Sequence, residues 1–425
     1  MQFKSHDWFP SGIVTEIERT KDVSDNLSKF KVHTKHGTIN MVWPTIEPTE
    51  LEFWNNLKSL IDCKEIKSWG IASKFDFNKI DAVDKVSDGN KLIFLLNGEE
   101  RILAKYNPFL IANRETRLKN MEIEDFGIKI LGGLKLKKHD LILFYEEQMN
   151  DVSFEDTIKN LLLNSDMNDL KTNLIEIGKF LGKFHIKMNE NLAPPIPEKW
   201  NERLKRLEHI TSSNTLWRAP HSKFTEAIWT HGNLSLNRIV LDNNNNWRLT
   251  NFEGNPLQQL IDSTVRFPAI RDIASLYWSI SKLLYELEIE DATKENDIRR
   301  WLFEGWSSVV PKKWSNSDSL DTHKGGILIW EYDCALCELF LDQAFAKKKN
   351  LHTTNRLSNV TRVQTLMFKN RLYSALSKIT LLCGFLLFFG WNTIDKNLIL
   401  IGVFIALIMS FIFKKIYHYR APRKW

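Results

Sequence analysis

The chain has 425 residues, 43% hydrophobic and 26% charged, which excludes an intrinsically disordered protein and is too long for one small core. Its net charge of +6 is unevenly spread: from Met367 onward nine Lys and Arg stand against Asp395 alone, which leaves the preceding body at about −2. A near-neutral body speaks against a nucleic-acid-binding domain, and a basic tail suits anionic lipid headgroups.

Residues 1–7 carry no apolar run behind a basic start, so no secretory signal is expected. Stretches 12–20, 27–34 and 38–43 are predicted as short strands, with a turn at Lys35-His36-Gly37, and 48–61 as helical. Together they suggest a β-rich cap over residues 1–76. A second meander is expected from 77 to 106, with a hairpin turn at Asn97-Gly98 between KLIFLL (91–96) and ERILAKY (100–106). A helix over 113–122 and a strand at 141–145 complete an N-terminal lobe of residues 77–150.

Beyond this point the pattern becomes helical. Ser153-Phe-Glu-Asp156 reads as a capping box, and Leu174, Ile177, Phe180, Leu181 and Phe184 share one helical face. A Pro-rich break at 193–200 is followed by helices at 268–290, 295–310 and 325–347, giving a helical lobe over 151–345. Beta first and helical later predicts an α+β chain of two lobes. Cys334 and Cys337 match C-x-x-C within a helical stretch. With no second pair nearby they read as ordinary helix-face cysteines, redox or metal chemistry being the alternative.

A linker is expected at 346–371, then a transmembrane hairpin at 372–413 and a basic tail at 414–425. Leu372 to Trp391 spans 20 residues interrupted only by Lys378, and Asn397 to Phe413 spans 17 without a charge. The turn Asn392–Lys396 returns the chain to the side it came from. Lys369 and Arg371 flank one end and Lys414, Lys415 and Arg420 the other, so the positive-inside rule places the body and both termini in the cytoplasm, against a lipid bilayer.

One stretch points to a function: IWTHGNLSLNRIVLDNNNNWRLTNFEGNP (228–256). Its His-Gly-Asn loop, two short strands and Asn-Phe-Glu-Gly element resemble the catalytic and metal-binding loops of the protein-kinase-like small-molecule phosphotransferases. That superfamily includes aminoglycoside phosphotransferases and choline kinases, and the maltokinase branch looks nearest, through Phe252-Glu253-Gly254-Asn255-Pro256 and Arg271-Asp272-Ile273-Ala274. The resemblance covers about residues 80–345 and implies a two-lobed protein-kinase-like fold.

It also implies roles. Lys105 corresponds to the strand lysine that grips nucleotide phosphates, and Glu115 to the helix glutamate that pairs with it. Glu146 and Glu147 stand at the hinge that takes adenine, and Asp272 braces the catalytic loop. ATP is the implied cofactor.

The chemical positions depart from the family pattern. Asn233 replaces the catalytic aspartate, and an amide takes no proton at neutral pH. Asn251 replaces the metal aspartate, so Mg2+ loses a carboxylate. Arg238 replaces the second metal ligand, with Asn237 one residue away, and its guanidinium offers a stand-in for metal charge against phosphates. A pseudokinase that binds a nucleotide or a partner protein is expected. The alternative is an active phosphotransferase on a sugar or other small metabolite.

Overall fold

The computed structural model describes residues 6–62, 64–86, 92–98, 101–110, 125–146, 152–188, 193–194, 196–216, 226–252, 257–261, 266–316, 320, 326–389 and 395–421. It is a mixed α+β chain whose N-terminal half holds two sheets.

Strands β1 (Val14–Ser24), β2 (Leu27–Thr34) and β3 (Gly37–Pro44) form an antiparallel meander in that order. Alternation explains its face: Leu27, Val32, Ile39 and Met41 are buried while Lys31 and Asn40 between them are exposed. Two short helices follow, α1 (Leu51–Asn55) and α2 (Leu57–Ile61).

The second sheet contains β4 (Ile66–Gly70), β5 (Ile80–Lys85), β6 (Leu92–Gly98), β7 (Ile102–Tyr106), β8 (Ile130–Leu136) and β9 (His139–Glu146), in the spatial order β4-β8-β9-β7-β6-β5. Strand β4, assigned to the cap in the sequence reading, is thus an edge strand of this sheet, paired with β8. Cap and sheet share one apolar core, in which Trp54 and Phe94 meet 5.6 Å apart.

Asn97-Gly98 is not the centre of a two-residue turn. Leu96 pairs with Ile102, while Asn97 and Gly98 continue along β5 opposite Ala82 and Ile80. The Asn97 amide donates to Asp84 at 2.7 Å, and a Cβ on Gly98 would collide with the Lys79 carbonyl. Pairing with a third strand outweighs local turn preference here. The expected helix over 113–122 lies outside the described residues.

The helical lobe follows. It contains α3 (Phe154–Leu163), α4 (Met167–Met188), α5 (Pro197–Ile210), α6 (Ile270–Glu286), α7 (Ala292–Ser307), α8 (Lys312–Ser315) and α9 (Ile327–Ala344). Two short strand pairs support its loops: β10 (Ile228–Trp229) pairs with β13 (Arg266–Phe267), and β11 (Ile239–Leu241) with β12 (Trp247–Leu249). The Ser153 hydroxyl caps α3 by accepting from Asp156 N at 3.1 Å. Helices α4 and α7 pack closely because Gly178 and Gly305 remove side chains from the contact, where a Cβ would meet backbone of the facing helix.

After α9 come α10 (Leu351–Ser358), α11 (Val360–Phe389) and α12 (Lys396–Tyr419). The segment expected to be a linker is therefore mostly helix. No Gly or Pro interrupts 360–383, and Val360, Val363 and Met367 are buried in the core shared with the sheet. Helices α11 and α12 pack antiparallel. Asn370 donates to the Tyr417 carbonyl at 2.8 Å, and the Ser377 and Ser410 hydroxyls each donate to the other's carbonyl at 2.9 and 2.8 Å. Both helices are long and apolar enough to cross a membrane, and only 6% and 11% of their apolar windows are buried. Before residue 351, by contrast, the exposed large apolar side chains among the described residues are Val86, Val152, Leu163, Ile186 and Tyr285. The expected turn lies outside the described residues, apart from Asp395 and Lys396.

Candidate functional site

The loop between β10 and β11 is built around one buried carboxylate. Asp272, in the first turn of α6, accepts from His231 N at 2.7 Å and Gly232 N at 3.1 Å, so it holds the loop by its backbone. Gly232 has φ +80°, a conformation that a side chain would strain. The third donor is His185, near the end of α4, 3.2 Å from the carboxylate. Trp306 Nε1 donates to His185 Nδ1 at 2.9 Å, which leaves Nε2 as the protonated nitrogen facing Asp272. Burial alone would raise the Asp272 carboxyl. Its hydrogen bond from His185, the nearby imidazoles and the Gly232 amide outweigh that and hold it at about 2. The expected bracing role of Asp272 thus has a geometry, while His185 and Trp306 were not singled out by sequence.

Behind this loop Asp333 of α9 accepts from Arg203 Nε at 2.8 Å and Arg271 Nη2 at 2.7 Å, and Arg271 Nη1 donates to the Gly232 carbonyl at 2.7 Å. Burial would raise Asp333, but the two guanidinium groups hold it below its ordinary value. Arg271 also stacks over Phe267, 4.2 Å from the ring centre.

The two loops that carry the resemblance are tied together. His231 Nε2 donates to the Thr250 carbonyl at 2.8 Å, and Thr250 N donates to the Arg238 carbonyl at 2.9 Å. Asn251 follows with φ +63°, which asparagine tolerates better than most residues. From the sheet, the buried Lys105 reaches across to it, Nζ donating to Asn251 Oδ1 at 3.4 Å. Lys105 of the sheet and Asn251, 146 residues apart in the chain, therefore meet.

Asn233 and Arg238 form a second pair, in the loop between β10 and β11. Arg238 Nη1 donates to the Asn233 backbone carbonyl. With its amide oxygen turned toward the guanidinium, Asn233 also accepts from Nη1 at 2.6 Å and Nη2 at 3.0 Å. The guanidinium is thus engaged with Asn233 through both its backbone and its side chain. Asn237 is exposed, and its oxygen accepts from Ser235 at 2.6 Å. Glu115, Glu147 and Glu253 lie outside the described residues, whereas Glu146 ends β9.

A cavity of about 350 Å³ opens beside Asn233 and Arg238, with Arg271, Cys334, Cys337 and Glu338 among its walls. Cys334 lies 3.1 Å from the Ser275 hydroxyl, and Arg203 Nη2 donates to Cys337 at 3.0 Å. Burial pushes these thiols up to about 12 and about 11, which keeps both protonated and suits the reading as packing cysteines.

Among the described residues, the side chains at 105, 233, 238 and 251 are an ammonium, an amide, a guanidinium and an amide, a set of four that does not suit Mg2+, and both Asp272 oxygens already serve protein donors. Among the described residues no group of three His, Cys, Asp or Glu is placed to hold a metal.

No protein-family model matches the sequence, and no curated protein matches it. Solved structures do. A glucosamine kinase superposes with TM-score 0.53 at 10% identity, over 84% of this chain and 96% of that one. The glucosamine kinase complex with glucosamine, ADP and inorganic phosphate gives 0.52 at 10% identity, over 80% and 96%. The choline kinase LicA from Streptococcus pneumoniae matches at 0.42 and 13% identity, over 69% and 96%. The likeness to the glucosamine kinase shows the fold: the chain has that of the protein-kinase-like small-molecule phosphotransferases.

Proposed function

We propose that this chain is a membrane-anchored pseudokinase, which binds a nucleotide or partner protein without transferring phosphate. The observation that carries this reading is the pairing of Asn233 with Arg238 where the family places an acid and a metal ligand. Phosphoryl transfer depends on positioning and on neutralising charge around the transferred group, usually with bound Mg2+. Here the acceptor side has an amide that cannot take a proton, and the metal side has Asn251 held by Lys105.

Lys105 is the group we assign to holding phosphates, beside Asn251. The glucosamine kinase neighbour is described with ADP, which supports a nucleotide in the corresponding cleft. The exposed apolar faces of α11 and α12, flanked by basic residues at one end, support anchoring with the body on the cytoplasmic side.

A second reading has one observation in its favour. The cavity beside Asn233 is large enough for a sugar or other small metabolite, which suits an active ATP-dependent phosphotransferase with altered groups. Thermal shift with ATP, with and without Mg2+, tests the proposal. A stabilisation that needs no Mg2+ and is lost in Lys105→Ala supports it. Absence of any shift under both conditions removes nucleotide binding from the account.

A further inference from the structure

The cleft leaves one feature of the hairpin unused. A groove of about 610 Å³ runs along the α11–α12 pair, walled by Leu381, Phe385 and Phe388 on one helix and Val403 and Leu407 on the other, with Lys378 as its charged member. The groove exists because of residue sizes. Gly384 places no side chain on its floor, where a Cβ would lie 2.9 Å from the Ala406 Cβ, while large side chains rise on both sides.

Lys378 is the anomaly. It lies six residues inside the apolar run that starts at Leu372, a depth of about 9 Å at the helical rise of about 1.5 Å per residue. Among the described residues it has no ion-pair partner, and the sole acid from Met367 onward is Asp395 at the opposite end of the hairpin. An ammonium at that depth is costly unless it snorkels outward or meets an anion. We infer that the groove is a binding site for one acidic phospholipid, its phosphate on Lys378 and an acyl chain along Leu381, Phe385 and Phe388.

Charge complementarity selects this occupant. A two-fold contact with a second copy through the same groove would set Lys378 against its own counterpart in a low-dielectric medium, where like charges repel strongly. A phosphatidylcholine would bring its own cation into the same neighbourhood. An acidic phospholipid supplies the missing anion together with hydrocarbon to fill the groove. Because α11 is continuous, the lipid would sit on the same helix that carries Val360, Val363 and Met367 into the body's core.

This inference rests on the membrane-anchored reading, and its test separates the two. The full chain is reconstituted in phosphatidylcholine vesicles containing a photoactivatable phosphatidylglycerol, or a photoactivatable phosphatidylcholine as control. The expected result is preferential phosphatidylglycerol labelling within residues 381–388. It falls about fivefold in Lys378→Gln, the factor expected of one lysine at an anionic lipid surface, and returns in Lys378→Arg. Labelling by the phosphatidylcholine probe should be the same in both proteins. Equal labelling by the two lipids, labelling unchanged in Lys378→Gln, or crosslinks joining two copies through 381–388 would overturn the lipid site while leaving the anchor intact. A chain that fails to enter vesicles overturns both.

Discussion

Replacing Asp272 by Asn tests the brace beneath the catalytic-type loop. The carboxylate accepts two backbone amides, His231 N and Gly232 N, together with His185 Nε2, and all of these groups are tied to the loop or to α4. Its depression from an ordinary value near 3.8 to about 2 corresponds to roughly 2 kcal/mol at neutral pH. The amide keeps one acceptor and turns an N–H toward a backbone donor, which adds about 1 kcal/mol or more for an unsatisfied buried group. A loss of about 3 kcal/mol translates into a Tm drop of roughly 6–12 °C for a lobe of this size. The assay is thermal unfolding of the full-length protein, followed by circular dichroism at pH 7. The folded-state value is the depressed one, so the brace is at full strength above about pH 4 and is lost as pH falls toward 2. The gap between wild type and Asp272→Asn should therefore narrow across that window. A Tm within about 1 °C of wild type at pH 7 would refute the argument.

Three further outcomes follow from the same structure. Asp333→Ala removes the carboxylate that Arg203 and Arg271 share, and should cost about 3–5 kcal/mol in chemical denaturation; a loss below about 1 kcal/mol would show that the cluster contributes little. Gly305→Ala forces a methyl group onto the Ile175 carbonyl and should destabilise by about 1–3 kcal/mol in the same assay, whereas unchanged stability would mean that α4 and α7 have room to separate. Cys334 and Cys337, held at about 12 and about 11, should react with a maleimide at pH 7 far more slowly than a free cysteine in denatured protein; comparable rates would contradict their protonated, packed state.

Much of this architecture was legible because local pattern and tertiary role coincide. Leu174, Ile177, Leu181 and Phe184 repeat at helical spacing and are all buried on α4, and KLIFLL with ERILAKY contains the strands that carry Lys105. Legibility failed where a distant partner decides the outcome. Asn97-Gly98 has strong turn chemistry, yet β5 recruits both residues into the sheet. Residues 346–371 read as a linker, but Val360, Val363 and Met367 at helical spacing seat this part of α11 in the core. In the site, the motif singled out positions 233, 238 and 251. That Arg238 engages Asn233 depends on how one loop folds back over five residues, and that His185 relays between Trp306 and Asp272 depends on contacts between segments up to 121 residues apart.

The central claim is that a kinase-like cleft retains its phosphate-binding lysine while its transfer chemistry has gone. Incubating the purified full-length chain with γ-labelled ATP, Mg2+ and a panel of sugars and amino alcohols tests this most directly, with Lys105→Ala run alongside. The account predicts no labelled product above background in either protein. Steady transfer to any acceptor by the wild type, abolished in Lys105→Ala, would contradict it and establish the active phosphotransferase instead.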